Sequence, residues 1–149
     1  MRYEVMHNTK KTLLYNKSVP SGNSGYLDCE ITGHGRINAI RIRFAAGENG
    51  ELHIRPVMIL PPNIPIELIK YAQGGNKFVS GDDETFISDI GFETENHAIA
   101  RIYYENTQTD PTAADAIVDV QIEVEYFDYI EPANIIGPVD NPVRWGVLR

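Results

Sequence analysis

Apolar and polar residues alternate with a period of two along most of this chain. In VDVQIEVEYFDY, Val118, Val120, Ile122, Val124 and Tyr126 share one side, and Asp119, Gln121, Glu123 and Glu125 share the other. Successive side chains of a strand point to opposite faces, so this is a strand with one core face and one acidic face. The acidic face suits a binding surface, a metal site or a solvated wall. INAIRIRF repeats the pattern, with Ile40, Ile42 and Phe44 against Arg41 and Arg43, and GELHIRPV sets Leu52 and Ile54 against His53 and Arg55. The Gly- and Asn-rich AAGENG between these two predicts an antiparallel hairpin.

Further strands are predicted in RYEVMHN, TLLYNKSV, GYLDCEITG, ETFISDIGF (Phe86, Ser88, Ile90 and Phe92 on one side) and HAIARIYYEN (Ala98, Ala100, Ile102 and Tyr104 on one side). One helical turn or two is predicted in residues 61–75. Pro65 would sit in its first turn, Ile66, Ile69 and Tyr71 would face inward, and Gly74 and Gly75 would end it. A short bulged strand is the alternative there, because Pro61, Pro62 and Pro65 resist central sheet positions. About eight strands joined by turns predict an all-β fold, an antiparallel β-sandwich or jelly roll. The sandwich is assigned to residues 1–131.

Beyond it the alternation stops. Residues 132–149 hold Ile135, Ile136, Val139, Val143, Trp145, Val147 and Leu148, too apolar for a solvated tail. They read as an extended arm laid on the sandwich or on a neighbouring subunit, the neighbour being favoured because Trp is enriched at interfaces.

Composition narrows the chemistry. A length of 149 residues suits one core, and a net charge of −8 opposes the counterion release behind nucleic-acid affinity. Arg36, Arg41, Arg43 and Arg55 fall on outward strand positions. No run of 18 apolar residues predicts a membrane helix, and the N-terminal residues show no signal-peptide pattern, so folding in the cytoplasm is expected. Cys29 is the only cysteine and shares a face with Leu27 and Ile31, as a small core residue would.

Candidate sites are few. Asp82, Asp83 and Glu84 bunch beside Gly81 as calcium ligands do, but without the alternating ligand spacing, so a capped turn is expected and no metal. His7, His34, His53 and His97 have no ligand spacing. A cupin-type metal centre needs His53 and His97 to meet across strands, whereas His53 alternates outward. Neither Gly33-His34-Gly35 nor Gly74-Gly75 precedes a phosphate-binding helix motif. No nucleophile and base are paired by any motif, so an enzyme is not expected. Tyr103, Tyr104, Phe127 and Tyr129 put aromatic rings on both faces of two strands, as a carbohydrate platform or a subunit interface would.

Three classes remain: a structural assembly protein, a carbohydrate-binding β-sandwich module and a cupin-type metal-dependent enzyme. The layout, with GELHIRPVMIL, SGDDETFISDIGF and HAIARIYYEN followed by IIGPVDNPVRWGVLR, resembles small auxiliary virion proteins of tailed bacteriophages, such as capsid decoration proteins and related head or tail components. That resemblance implies a symmetric homo-oligomer, a trimer above all, that clamps a capsid lattice in the virion, with neither catalysis nor cofactor. The acidic row would then be a solvent wall that discourages edge-to-edge pairing. Arg41, Arg43 or Arg101 on adjacent strands would relieve its repulsion.

Overall fold

The computed structural model describes residues 5–69, 78–95 and 97–130. They form eight strands and no helix: β1 Val5–Val19, β2 Ser24–Ile31, β3 Gly35–Phe44, β4 Leu52–Leu60, β5 Ile64–Glu67, β6 Glu84–Thr94, β7 Ala98–Asn106 and β8 Ala116–Ile130. Two antiparallel sheets result, a first in the order β1-β8-β3-β6 and a second in the order β2-β7-β4-β5. The protein is an all-β antiparallel sandwich with jelly-roll topology.

Its plan is one long hairpin rolled up. Each strand of the first half pairs with its counterpart from the second, β1 with β8, β2 with β7, β3 with β6 and β4 with β5. Rolling then sets β3 beside β8 and β4 beside β7. The hairpin turns at residues 61–63, where the Pro61-Pro62 peptide is cis.

Alternation does the rest. Val118, Val120, Ile122 and Val124 of β8 meet Ile37, Ile40, Ile42 and Phe44 of β3, all essentially without solvent exposure. Across from them lie Ile31, Leu52, Ile54, Met58, Ala98, Ala100 and Ile102 of the second sheet, in one core cluster. Tyr15 spans the gap, its hydroxyl donating to the Ala100 carbonyl at 2.8 Å, and burial pushes its phenol pKa far up. Pro56 fits inside β4 because its carbonyl side faces Leu68, which lies past the end of β5, so the missing N–H breaks no ladder bond to β5.

Four expectations change. The described part of RYEVMHN, from Val5 onward, joins TLLYNKSV in the single strand β1, because β8 offers a partner along all 15 residues. The predicted hairpin of INAIRIRF and GELHIRPV does not exist, since β3 and β4 lie in opposite sheets and residues 45–51 cross between them. No helix forms at residues 61–69, because β4 offers a free edge on which Ile64–Glu67 adds as β5; residues 70–77 lie outside the described residues. The acidic-faced strand β8 is central, not at an edge.

The packing sets an expected scale of loss. Ile122→Ala should destabilise by about 2–5 kcal/mol, and Tyr15→Phe by about 0.5–1.5 kcal/mol, in urea titrations followed by circular dichroism. A Tyr15→Phe protein as stable as the wild type would show that the inter-sheet hydrogen bond contributes nothing.

Candidate functional site

The acidic row of β8 lies between two strands that carry cations. Glu125 is flanked by Lys10 of β1 and Arg36 of β3, and Arg36 is followed by Glu93 of β6. One line across the sheet therefore reads Lys10, Glu125, Arg36, Glu93, alternating in sign. Lys10 Nζ lies 4.0 Å from Glu123, and Asn38 donates to Glu125 at 3.3 Å. Of the expected partners only Arg41 adjoins the row, opposite Gln121. Arg43 bonds Asp83 at 2.9 Å, and Arg101 lies in the other sheet.

The two edges of this sheet are opposite in charge. β1 bears Lys10, Lys11 and Lys17 and no acid, whereas β6 bears Glu84, Asp89 and Glu93 and no lysine or arginine. Each edge also exposes one large apolar residue outward, Leu14 at 66% and Ile87 at 67%. These two end a second line, Leu14, Gln121, Arg41, Ile87. Leu14 stands four positions from Lys10 on β1, and Ile87 stands six positions from Glu93 on β6. Register shifts between Ile37 and Ala39 take up the difference, one residue in β3 against β8 and one in β6 against β3, near Gly91 (φ +69°).

The outer face of the second sheet carries a different constellation. Arg101 of β7 is clamped by Asp28 of β2 at 2.8 and 2.9 Å, and its guanidinium lies 3.9 Å over the ring of Tyr26. Tyr26 and Tyr103 meet edge to face at 5.9 Å. Arg55 of β4 is paired with Glu67 and lies 5.4 Å from the Tyr103 ring and 5.9 Å from that of Phe78. Hydrogen bonding to Asp28 and to Glu67 raises the pKa of Arg101 and Arg55, so both stay charged. Beside these groups opens a cleft of about 360 Å³, lined by Ser24, Tyr26, Arg55, Phe78, Tyr103 and Glu105 among others.

The sequence-predicted aromatics are thus dispersed. Tyr103 faces this cleft. Tyr104 points inward, with its hydroxyl reaching the cleft wall beside Gly25, where an added Cβ would lie 2.7 Å from it. Phe127 packs on His34 at the far end of the first sheet, with ring centroids 4.9 Å apart, so it joins no common platform with Tyr103. The side chain of Tyr129 and the arm residues Ile135, Ile136, Val139, Val143, Trp145, Val147 and Leu148 lie outside the described residues.

The acidic loop serves the backbone. Asp82 accepts the N–H groups of Gly47 and Asn49 at 2.8 and 2.9 Å, tying residues 81–83 to the β3–β4 connection, and Asp83 holds Arg43. Glu84 begins β6 and is exposed. Among the described residues no three His, Cys, Asp or Glu side chains are grouped to hold a metal. His53 pairs opposite Glu105, at the end of β7 remote from His97, so the two cannot share an ion. Cys29 is half-buried against the core.

Two polar residues at the loop end of the sandwich escaped the sequence reading. Asn106 is buried and donates to the Val19 carbonyl at 2.9 Å, while its side-chain oxygen accepts the Gln108 N–H at 3.0 Å. Glu48 is only 8% exposed and accepts the Ile117 N–H at 3.0 Å through one oxygen, and its other oxygen has no protein partner among the described residues. Burial raises its pKa above the ordinary carboxylate value. Glu48 lies in a loop, where alternation gives no signal, whereas Asn106 follows Ala98, Ala100, Ile102 and Tyr104 on the inward face of β7, a polar residue on an apolar face that the alternation could have flagged.

No protein-family model matches this chain, and no curated protein matches it. Among solved structures it is similar to that of infectious bursal disease virus Gx strain (8% identity, TM-score 0.46), over 89% of this chain and 33% of that one. The Gt strain structure matches at 7% identity and TM-score 0.41, over 89% and 34%. The VP2 subviral particle of the same virus matches at 6% identity and TM-score 0.36, over 85% and 37%. This chain spans about a third of the length of each.

Glu48 gives the site a signed pH dependence. Its folded-state pKa is raised, so the unfolded chain ionises first as pH climbs, and stability from this group falls until the folded pKa is passed. Wild type compared with Glu48→Gln should therefore lose ground as the pH rises through and above the ordinary carboxylate range in urea titrations. A difference independent of pH would show that Glu48 ionises alike in both states.

Proposed function

We propose that this chain is a structural subunit of a virion, an auxiliary head or tail protein of the kind its sequence resembles in tailed bacteriophages, acting by assembly and not by catalysis. The observation that supports this most is the pair of oppositely charged edges on the first sheet. Long edge strands invite pairing, and charge on an edge decides with what. Two β1 edges repel each other, as do two β6 edges, whereas β6 of one copy attracts β1 of the next.

Topology fits that contact. β1 and β6 run in opposite directions within the sheet, so copies arranged around an axis along the strands meet antiparallel. Seating Glu93 beside Lys10 of the next copy continues the alternating line of charge, and the equal spacing of the two lines seats Ile87 beside Leu14. A head-to-tail contact of this sort makes a ring when its rotation closes and a filament when it does not; the trimer implied by the resemblance is the smallest such ring above a dimer. Residues 132–149 supply a second grip, through Ile135, Ile136, Val139, Val143, Trp145, Val147 and Leu148, on a neighbour or on the capsid lattice.

Light scattering tests the reading. The wild-type chain should be an oligomer at about 100 μM, a concentration that populates contacts of micromolar Kd. Lys10→Glu with Lys17→Glu, and separately Asp89→Lys with Glu93→Lys, should each give monomers, and mixing the two variants should restore a larger species. Removing residues 132–149 should leave the sandwich folded and lower the assembled mass. A monomeric wild type, or charge variants of unchanged mass, would overturn the reading.

A further inference from the structure

The cleft on the outer face of the second sheet takes no part in that contact, and its chemistry is specific. Its cations are already neutralised: Arg101 is held by Asp28 and Arg55 by Glu67, in both cases through more than one nitrogen–oxygen contact. Glu105 adds a further carboxylate to the wall. A phosphate or carboxylate ligand would have to displace an existing acid and sit beside another, so the cleft selects against anions. What it offers is aromatic surface set among fixed hydrogen-bonding groups.

Tyr26 stands 52% exposed in spite of the guanidinium stacked on it, and it meets Tyr103 at 64°, so two rings form a corner. Phe78 continues the apolar wall beyond Arg55. The negative face of a tyrosine ring attracts the polarised C–H bonds along one side of a sugar ring, and the sugar's hydroxyls need donors and acceptors at the rim. Ser24, the Tyr104 hydroxyl, the Arg55 guanidinium and the Glu105 carboxylate supply both kinds. The volume, about 360 Å³, is at the small end of ligand-binding clefts, which run from roughly 300 to 1,000 Å³. The ion pairs hold the rings in place before any ligand arrives, which lowers the ordering cost of binding.

We propose that this cleft binds a neutral glycan, with one sugar ring seated in the corner of Tyr26 and Tyr103 and its hydroxyls bonded by Arg55, Glu105 and Ser24. An apolar protein segment would gain from the rings but offer no partner to Ser24 and Glu105. The site stands on the second sheet, so it exists whether or not the first sheet assembles.

The test is a nuclear magnetic resonance titration of the full ¹⁵N-labelled chain with maltose, cellobiose, lactose and diacetylchitobiose, with sialyllactose and a heparin tetrasaccharide as anionic comparators. At least one neutral disaccharide should give saturable shifts at the amides of Ser24, Tyr26 and Tyr103. Tyr26→Ala should weaken that binding about tenfold or more, which is about 1.4 kcal/mol, with the strand signal in circular dichroism retained because Tyr26 lies outside the core cluster. Phe78→Ala serves as a second variant at the other wall. The proposal fails if none of the four neutral sugars shifts these amides at tens of millimolar, if an anionic sugar binds more tightly, or if both variants bind like the wild type.

Discussion

Pairing of the first strand with the last is the constraint on which the rest of this structure depends. The β1–β8 ladder joins residues 5–19 to residues 116–130, and every other pairing of the rolled hairpin is nested inside it. Only the β4–β5 turn is local. The core is therefore assembled from both halves of the chain at once, and the loop-closure entropy of bringing distant strands together must be met before much apolar surface is buried. Tyr15, whose hydroxyl reaches a carbonyl 85 residues away, and Asn106, which bonds a carbonyl 87 residues away, lock the two sheets and one end of the roll only when that closure is complete.

The nesting also explains what could be read from residues and what could not. Alternation states which face of a strand is buried, and it did so for β3, β6, β7 and β8, where Ile40, Phe86, Ala100 and Ile122 all turn toward the core. Alternation is silent on which strand lies alongside. AAGENG has the composition of a hairpin loop, yet it crosses between sheets, because glycine and asparagine mark any sharp change of direction, and Asn49 and Gly50 both adopt positive φ there. In the same way the acidic face of β8 looked like an edge device until its neighbours were known. The prolines near residue 61 mark a turn in either reading, and the free side of β4 settled the matter for strand. Glu48 was illegible because it lies in a loop and its partner Ile117 is remote in sequence; the inward place of Asn106 could be read from the rhythm of β7, but its partner Val19 could not.

Exposed ion pairs seldom contribute more than about 1 kcal/mol each, so the alternating line of charge across the first sheet is a weak source of stability. Its value lies in selection. Within the sheet it relieves the repulsion that the three carboxylates of the acidic row on β8, Asp119, Glu123 and Glu125, would otherwise feel. At the borders the same alternation is left incomplete, positive at β1 and negative at β6, and an incomplete pattern favours one neighbour over another by the sign of the mismatch. Lysines on β1 discourage indiscriminate strand addition for the same reason that they admit an acidic edge.

The two sheets differ in the chemistry that they expose. The two edges of the first sheet differ in sign, whereas on the second sheet each arginine already has its acid and the exposed aromatic rings stand among paired ions. An edge contact through β1 and β6 runs along the rim of the first sheet and leaves Tyr26, Tyr103 and Phe78 on the opposite side. In a ring with its axis along the strands, each copy would present one such cleft at the same height, so that a weak single-site affinity for a repeating ligand would be multiplied by the number of copies engaged.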